Sequence, residues 1–378
     1  MAQRSIPAVM MRGGTSKGLL FHAADLPAHR EEWTTLLCGA FGSPDEYGRQ
    51  LNGVGGGLSS LSKACVVAPS SREDVDVDYT FVQVLIGEAR VDFRANCGNM
   101  SSAVGPFAFD EGLVTSGPGR CVVRIHNTNT DKRIHSTFDV EEAATRYDGD
   151  FTIPGVGGSG APIRLDFLDP GGATTGQLLP TGRVSEWIEV TGLGSVEVSL
   201  VDAANAVVFV RARDVGLSGR ELPSEIEARS DVLARCEALR RSASVRMGIA
   251  PDEVAAARTT SVPFVCLVGE PEDAATLSGR VLLARDIDVL ARVISNGQPH
   301  RALPLTVSLC TAVAARLDGS VVAQVLRSSA EGALRLGMPS GILSVDATVE
   351  RRDGHWNASK GTFFRTARRL FDGRVWVP

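Results

Sequence analysis

The chain writes one arrangement twice. Residues 11–21 and 200–209 each read as strand, polar turn and strand, and some 80 to 100 residues later each is followed by a helix of small residues, 97–114 and 306–321, ending in a glycine turn and a valine. The repeat therefore predicts a duplicated domain, each half built on one central helix. A length of 378 residues suits two domains. The glycine-rich run 155–160 and Leu179-Pro180-Thr181-Gly182 lie near the middle. They place the boundary near Arg183, giving domains 1–183 and 184–378, with the extreme C-terminus a candidate to return to the first.

Short apolar or alternating runs bounded by turn residues recur along the chain, among them 8–11, 18–21, 64–68, 77–86, 89–93, 120–126, 163–167, 196–202, 206–211, 262–268 and 342–349. Helical patterns are fewer: 30–41, 100–111, 223–247 and 304–316. Many strands with a few separated helices indicate an α+β chain, and without regular βαβ alternation a doubly wound dinucleotide fold is set aside. A net charge of −5 with scattered basic residues argues against nucleic-acid binding. The one basic cluster, 365–369, reads as a solvated helix face. No run reaches the roughly 18 apolar residues of a membrane span, and the N-terminus lacks an apolar signal core, so a cytoplasmic protein is expected.

Seven cysteines, with no CxxC pair and no zinc-finger spacing to histidine, argue for reduced thiols and against a structural metal or disulfide frame. Six lie in apolar runs and read as core fillers. Cys97 differs. It stands in Asn96-Cys97-Gly98-Asn99, where strand 89–93 gives way to the small-residue helix. Unpaired backbone N–H groups and the positive end of the helix dipole favour a thiolate there and attract a carboxylate. Asn96 as N-cap, Gly98 and Asn99 favour a site, against the alternative of a buried helix-start thiol.

Three turns extend the search. Arg12-Gly13-Gly14-Thr15-Ser16-Lys17-Gly18 lacks phosphate-loop spacing and precedes a strand; it reads as a tight turn offering N–H groups and hydroxyls to a carboxylate, or as purely structural. The glycine loop 52–62 leads to Lys63 at the start of an apolar strand. Lys63 is either a snorkelling edge residue or, facing a dry cleft, a general base or acid. Gly337-Met338-Pro339-Ser340-Gly341 can bind an anion through Ser340 and the amides around Gly341, or be an ordinary turn. His300, beside Arg301 and just ahead of the second small-residue helix, is a further candidate for a carboxylate. No nucleophile elbow or HExxH motif is present.

Residues 12–18, 47–56, Ser62-Lys63, 76–81, 96–99, 165–170, 179–182 and 339–341, taken in order, resemble the PrpF family of 2-methylaconitate cis-trans isomerase, methylitaconate isomerase and 4-oxalomesaconate tautomerase. That family shares the diaminopimelate epimerase fold. The resemblance implies two pseudo-symmetric domains, each a rolled β-sheet around a central helix, with the active site in the cleft between them. It implies Cys97 and Lys63 as the proton-transfer pair and Gly14, Thr15, Ser16, Asn99, Ser340 and Gly341 as carboxylate binders. It implies no cofactor and no metal.

The sequence also departs from its relatives. Epimerases of this fold carry a second cysteine at the start of the second central helix, where this chain has Ala302-Leu303-Pro304-Leu305-Thr306-Val307. A one-thiol isomerase is expected rather than a two-thiol racemase. Leu305 and Val307 replace the usual flanking glycines, and Met338 stands where many relatives have histidine, so the second-half anion site is expected to be altered. The expected function is proton transfer between carbons of an unsaturated di- or tricarboxylate resembling 2-methylaconitate. A keto–enol tautomerase of the 4-oxalomesaconate type and a catalytically silent carboxylate-binding protein are the alternatives. The expected partner is that small molecule, with neither nucleic acid nor membrane, and a homodimer is compatible with the sequence.

Overall fold

A computed structural model describes residues 3–93, 97–327 and 332–378. Its contacts divide the chain into two compact units, residues 1–166 with 364–378, and residues 167–363. The stretch up to Arg183 that the sequence assigns to the first half thus lies in the second unit from Phe167 onward.

The first unit contains β1 (Arg4–Gly13), β2 (Ser16–His22), α1 (Trp33–Phe41), β3 (Lys63–Pro69), β4 (Val77–Val84), β5 (Val91–Asp92), α2 (Gly98–Asp110), β6 (Gly119–Asn127), β7 (Lys132–Glu141) and β8 (Ala144–Thr145). Strand β9 (Ile163–Leu168) leads out of it. β1 and β2 form an antiparallel hairpin, β3 runs parallel to β2, β4 antiparallel to β3, β6 parallel to β4, and β7 antiparallel to β6. Side chains alternate across a strand. Met10, Leu19, Phe21, Ala64, Val66, Val82 and Val84 accordingly pack with Leu36, Leu37 and Phe41 of α1. The opposite parity, with Lys63, Cys65, Tyr79 and Phe81, belongs to the other face. That face meets α2, whose residues Gly98 to Phe109 are all buried.

The second unit contains β10 (Glu186–Val190), β11 (Gly194–Ala203), β12 (Asn205–Arg211), α3 (Pro223–Glu227), α4 (Ser230–Arg246), α5 (Glu253–Arg258), β13 (Phe264–Gly269), β14 (Ala274–Ala275), β15 (Val281–Leu282), β16 (Val289–Ser295), β17 (Gln298–Pro299), α6 (Leu305–Ala314), β18 (Leu334–Met338), β19 (Gly341–Arg352) and most of β20 (His355–Arg365). Its pairing repeats the first: hairpin β11/β12, then β13 parallel, β16 antiparallel, β18 parallel and β19 antiparallel. Every residue of α6 is buried. Each unit is thus a sheet wrapped on one central helix, and the chain has the mixed α+β architecture expected from its many strands and few helices.

The C-terminal segment belongs to the first unit. β21 (Ala367–Val377) pairs antiparallel with β1 along its whole length. The basic cluster 365–369 is therefore extended chain, not a helix face, and Arg365 is only 4% exposed. Partnering with a strand over 350 residues away overrides local propensity. Smaller differences have local causes. The run 223–247 breaks between Glu227 and Ser230, the run 30–41 opens as a 3-10 turn before α1, and strand 89–93 reduces to Val91–Asp92. The glycine loop is packed rather than loose. Gln50 fills it, accepting from the Gly57 N–H at 3.0 Å and the Ser62 hydroxyl at 2.6 Å, and a Cβ on Gly55 would lie 2.3 Å from the Gln50 side-chain oxygen.

Candidate active site

Cys97 occupies the N-cap of α2, in extended conformation, with its carbonyl accepting from the Ser101 N–H at 3.0 Å. The expected cap, Asn96, lies outside the described residues. The side chain of Cys97 does not cap the helix, which leaves the sulfur free of the first-turn N–H groups. All seven thiols are buried. Burial pushes those of Cys38, Cys65, Cys121, Cys236, Cys266 and Cys310 up, which keeps these six protonated and inert.

Lys63 opens β3 on the α2 face and is 9% exposed. Among the described residues its hydrogen-bond acceptor is the neutral Gln83 amide oxygen, at 2.7 Å, and its ammonium lies 4.9 Å from the Phe81 ring centre. Gln83 is held by its own amide donors on the Ser62 and Val84 carbonyls, at 3.0 and 3.2 Å. The lysine thus hangs from a fixed neutral oxygen over an aromatic face. Cys65, two residues on, registers both neighbours. Its thiol is raised first by burial and next by Cys97, while Lys63 pulls it down. The phenol of Tyr79, raised by burial, by Cys65 and by Cys97, lies on the same patch. Lys63 and Cys97 therefore share one face of the first unit, with Cys65 in electrostatic reach of both.

The β1/β2 turn closes over the start of α2. Gly14 has φ +52°, and a Cβ there would lie 2.3 Å from Asn99 Oδ1, so glycine is required on both conformational and steric grounds. Asn99 Nδ2 donates to Thr15 Oγ1 at 3.1 Å, and its Oδ1 receives the Thr15 N–H at 3.5 Å. Ser16 pairs with Gly13 at the mouth of the hairpin and is buried. Gly14, Thr15, Ser16, Asn99, Cys97 and Lys63 thus all belong to the α2 side of the first unit. Arg365 reaches the same place, donating from Nε to Asn99 Oδ1 at 3.3 Å, with burial pushing its guanidinium down to about 9.

The remaining candidates lie in the second unit. Ser340 and Gly341 lie at the β18/β19 turn, Gly341 at φ +136°. The Ser340 hydroxyl is buried with no hydrogen-bond partner among the described residues. Met338 is buried and takes the Leu303 N–H on its sulfur at 3.4 Å, so the departure at this position is filled by packing just ahead of α6. His300 is held at 2.7 Å by the Ser295 hydroxyl in the β16/β17 hairpin and lies against Phe264. Among the described residues no group of His, Cys, Asp and Glu could hold a metal ion, and no helix is long and apolar enough to cross a membrane.

A model of the family described as PrpF protein matches residues 3–378. The chain belongs to the PrpF family. The 3-methylitaconate isomerase of Eubacterium barkeri is 40% identical over 99% of this chain and 98% of its own length. The 2-methyl-aconitate isomerase of Cupriavidus necator is 37% identical over 100% and 98%, and the 4-oxalomesaconate tautomerase of Pseudomonas putida 35% identical over 100% and 97%. Among solved structures, that of a methylitaconate-delta-isomerase superposes with a TM-score of 0.81 at 40% identity, covering 100% of this chain and 96% of that one. By membership of the PrpF family this chain is an isomerase.

Proposed function

We propose that this isomerase moves a proton between carbons of an unsaturated di- or tricarboxylate of the 2-methylaconitate or methylitaconate kind, shifting a double bond or changing its geometry. The observation that carries the reading is the pairing of one buried thiol at the start of α2 with one buried lysine on the sheet face that meets α2. In this scheme one of Cys97 and Lys63 removes the allylic proton and the other returns it at the far end of the allyl system. The charge that develops between the two steps is a dienolate. N–H groups at the start of α2 are fixed dipoles able to stabilise it, whereas those of Gly14 and Thr15 in the turn are taken by the Thr366 carbonyl and Asn99 Oδ1. Gly14, Thr15, Ser16 and Asn99 hold one substrate carboxylate, and Ser340, Gly341 and His300 are the candidates for another. Only one helix start carries a thiol, which favours a mechanism of one thiol and one lysine.

The test is proton exchange in deuterated water with 2-methylaconitate, 3-methylitaconate and 4-oxalomesaconate. Allylic deuterium together with isomer formation supports the reading. Exchange with 4-oxalomesaconate alone identifies the tautomerase, and binding without exchange on any of the three identifies a silent carboxylate-binding protein.

A further inference from the structure

Arg365 ends β20, is 4% exposed, and sits where β20 passes the start of α2. Its Nε donates to Asn99 Oδ1 at 3.3 Å and its Nη1 to the Phe364 carbonyl at 3.0 Å. Its Cδ would lie 3.2 Å from a Cβ on Gly14, so the arginine, the turn and the asparagine are in close packing. A guanidinium only donates. The atom of Asn99 that meets it must therefore be the carbonyl oxygen, which also receives the Thr15 N–H. That leaves the Asn99 NH2 facing Thr15 Oγ1, which accepts at 3.1 Å. A hydroxyl that accepts from its buried side has its own proton free for the other side. Thr15 is half-buried, and the acceptor suited to that proton is an anionic oxygen.

We propose that Arg365 is a positioning residue that fixes the direction of the Asn99–Thr15 hydrogen bond and so commits the Thr15 hydroxyl to donating to a substrate carboxylate. The inference rests on the isomerase reading for its substrate, and it adds a residue 266 positions from Asn99 to the working set. Without the guanidinium the amide can turn over, its oxygen then accepts the Thr15 proton, and the donor is lost.

Tricarballylate, a saturated tricarboxylate that cannot isomerise, separates this inference from the catalytic reading. Its affinity is measured by calorimetry beside KM and kcat for the substrate. Arg365→Met and Thr15→Val should each weaken tricarballylate binding and raise KM by about ten- to hundredfold, the range for a hydrogen bond to a charged group, with kcat little changed. Arg365→Lys, which keeps a donor, should recover most of the loss. The double variant should be no worse than either single one, because both remove the same bond. Should Arg365→Met fail to fold, the same cycle is run between Asn99→Ala and Thr15→Val, alongside Arg365→Lys. Multiplying losses in the cycle, unchanged affinity in the folded variants, or no tricarballylate binding by the wild type would each overturn the inference. An intact cycle in a protein that turns over no family substrate would instead overturn the catalytic reading alone.

Discussion

The two units share a scaffold and differ at the starts of their central helices. In both, a hairpin is followed by parallel, antiparallel, parallel and antiparallel partners. In both, an aspartate just ahead of one strand clasps an arginine of its parallel neighbour: Asp76 with Arg124, and Asp288 with Arg335, each with Nη2 to Oδ1 at 2.6 Å and the arginine N–H to Oδ2 at 2.7 Å. The hairpin and helix are also tied by an asparagine–threonine bond in each, with the residues exchanged. Asn99 of α2 donates to Thr15 of the turn, whereas Asn205, the first residue of β12, donates to Thr306 of α6 at 2.8 Å. Against that sameness, the N-cap is Cys97 in one and Pro304 in the other. The strand parallel to the hairpin opens with Lys63 in one and Phe264 in the other. Groups able to move protons thus cluster at one helix start, while the other retains polar turns without a thiol or lysine at these positions. The shared parts belong to the fold; the differences are where the proposed chemistry lies.

The largest effects should come from removing what is unique to the first unit. Cys97→Ser should keep the fold and carboxylate affinity but lower turnover by about 10²–10⁴-fold, since a hydroxyl fills the space yet its pKa is far too high for the same transfer. Lys63→Met should abolish isomerisation, and Lys63→Arg should rescue poorly because guanidinium does not release its proton. Phe264→Leu, at the matching place in the second unit, should leave kcat nearly unchanged. Steady-state kinetics on the four variants decides this. A nearly active Lys63→Arg would make the lysine a carboxylate clamp, and a large kcat loss in Phe264→Leu would break the division of labour.

The duplication was legible because it is written in local patterns: two strand–turn–strand units and two small-residue helices, each found at its expected place though the first strands start six or seven residues earlier and α6 ends seven residues sooner. Cys97, Lys63, Thr15 and Asn99 were legible because each sits in a short motif with turn or cap residues beside it. Arg365 was not. Its neighbours Arg368 and Arg369 make the segment look like a solvated charge run, and the strand that makes it extended, β1, is at the opposite end of the chain. The same long separation hid β21, whereas β20 pairs with its immediate neighbour β19 and was missed because its mixed polar sequence shows no apolar run. The exchange between Asn99–Thr15 and Asn205–Thr306 was hidden for another reason: spacing shows which segments correspond, but not which partner of a hydrogen bond stands on the helix.

A smaller effect is expected at Ser340. Its hydroxyl is buried and unsatisfied among the described residues, which suits an oxygen reserved for a ligand. Ser340→Ala should raise KM by about tenfold, the loss of one hydrogen bond to a charged group, with kcat little changed. The free protein should be no less stable, and its melting temperature should hold or rise, because an unpaired buried hydroxyl has been removed. A fall in melting temperature with unchanged KM would mean that the hydroxyl serves the fold, and the second unit would lose its clearest claim to a substrate contact.

The smallest effect tests the sameness of the scaffolds. Burial raises the Asp76 carboxyl, but hydrogen bonds from the Arg124 side chain and backbone, with its charge, hold it below the ordinary value. Asp288 is balanced the same way between burial and Arg335. A carboxyl depressed in the folded state contributes stability that is fully present above its unfolded value, near 4, and is lost as pH falls through the folded value. The arginines are 43% and 42% exposed, so solvent screening keeps the contribution of each clasp small. Asp76→Asn and Asp288→Asn should therefore each lower hydrogen-exchange protection at pH 7, the first chiefly in β4 and β6 and the second in β16 and β18. Each difference from wild type should shrink as pH drops through the folded value, and neither should alter kcat. Equal losses in the two units would mark the clasp as part of the duplicated frame. If Asp76→Asn alone affected turnover, the frame of the first unit would itself be tuned to the chemistry at Cys97, and the two scaffolds would not be equivalent.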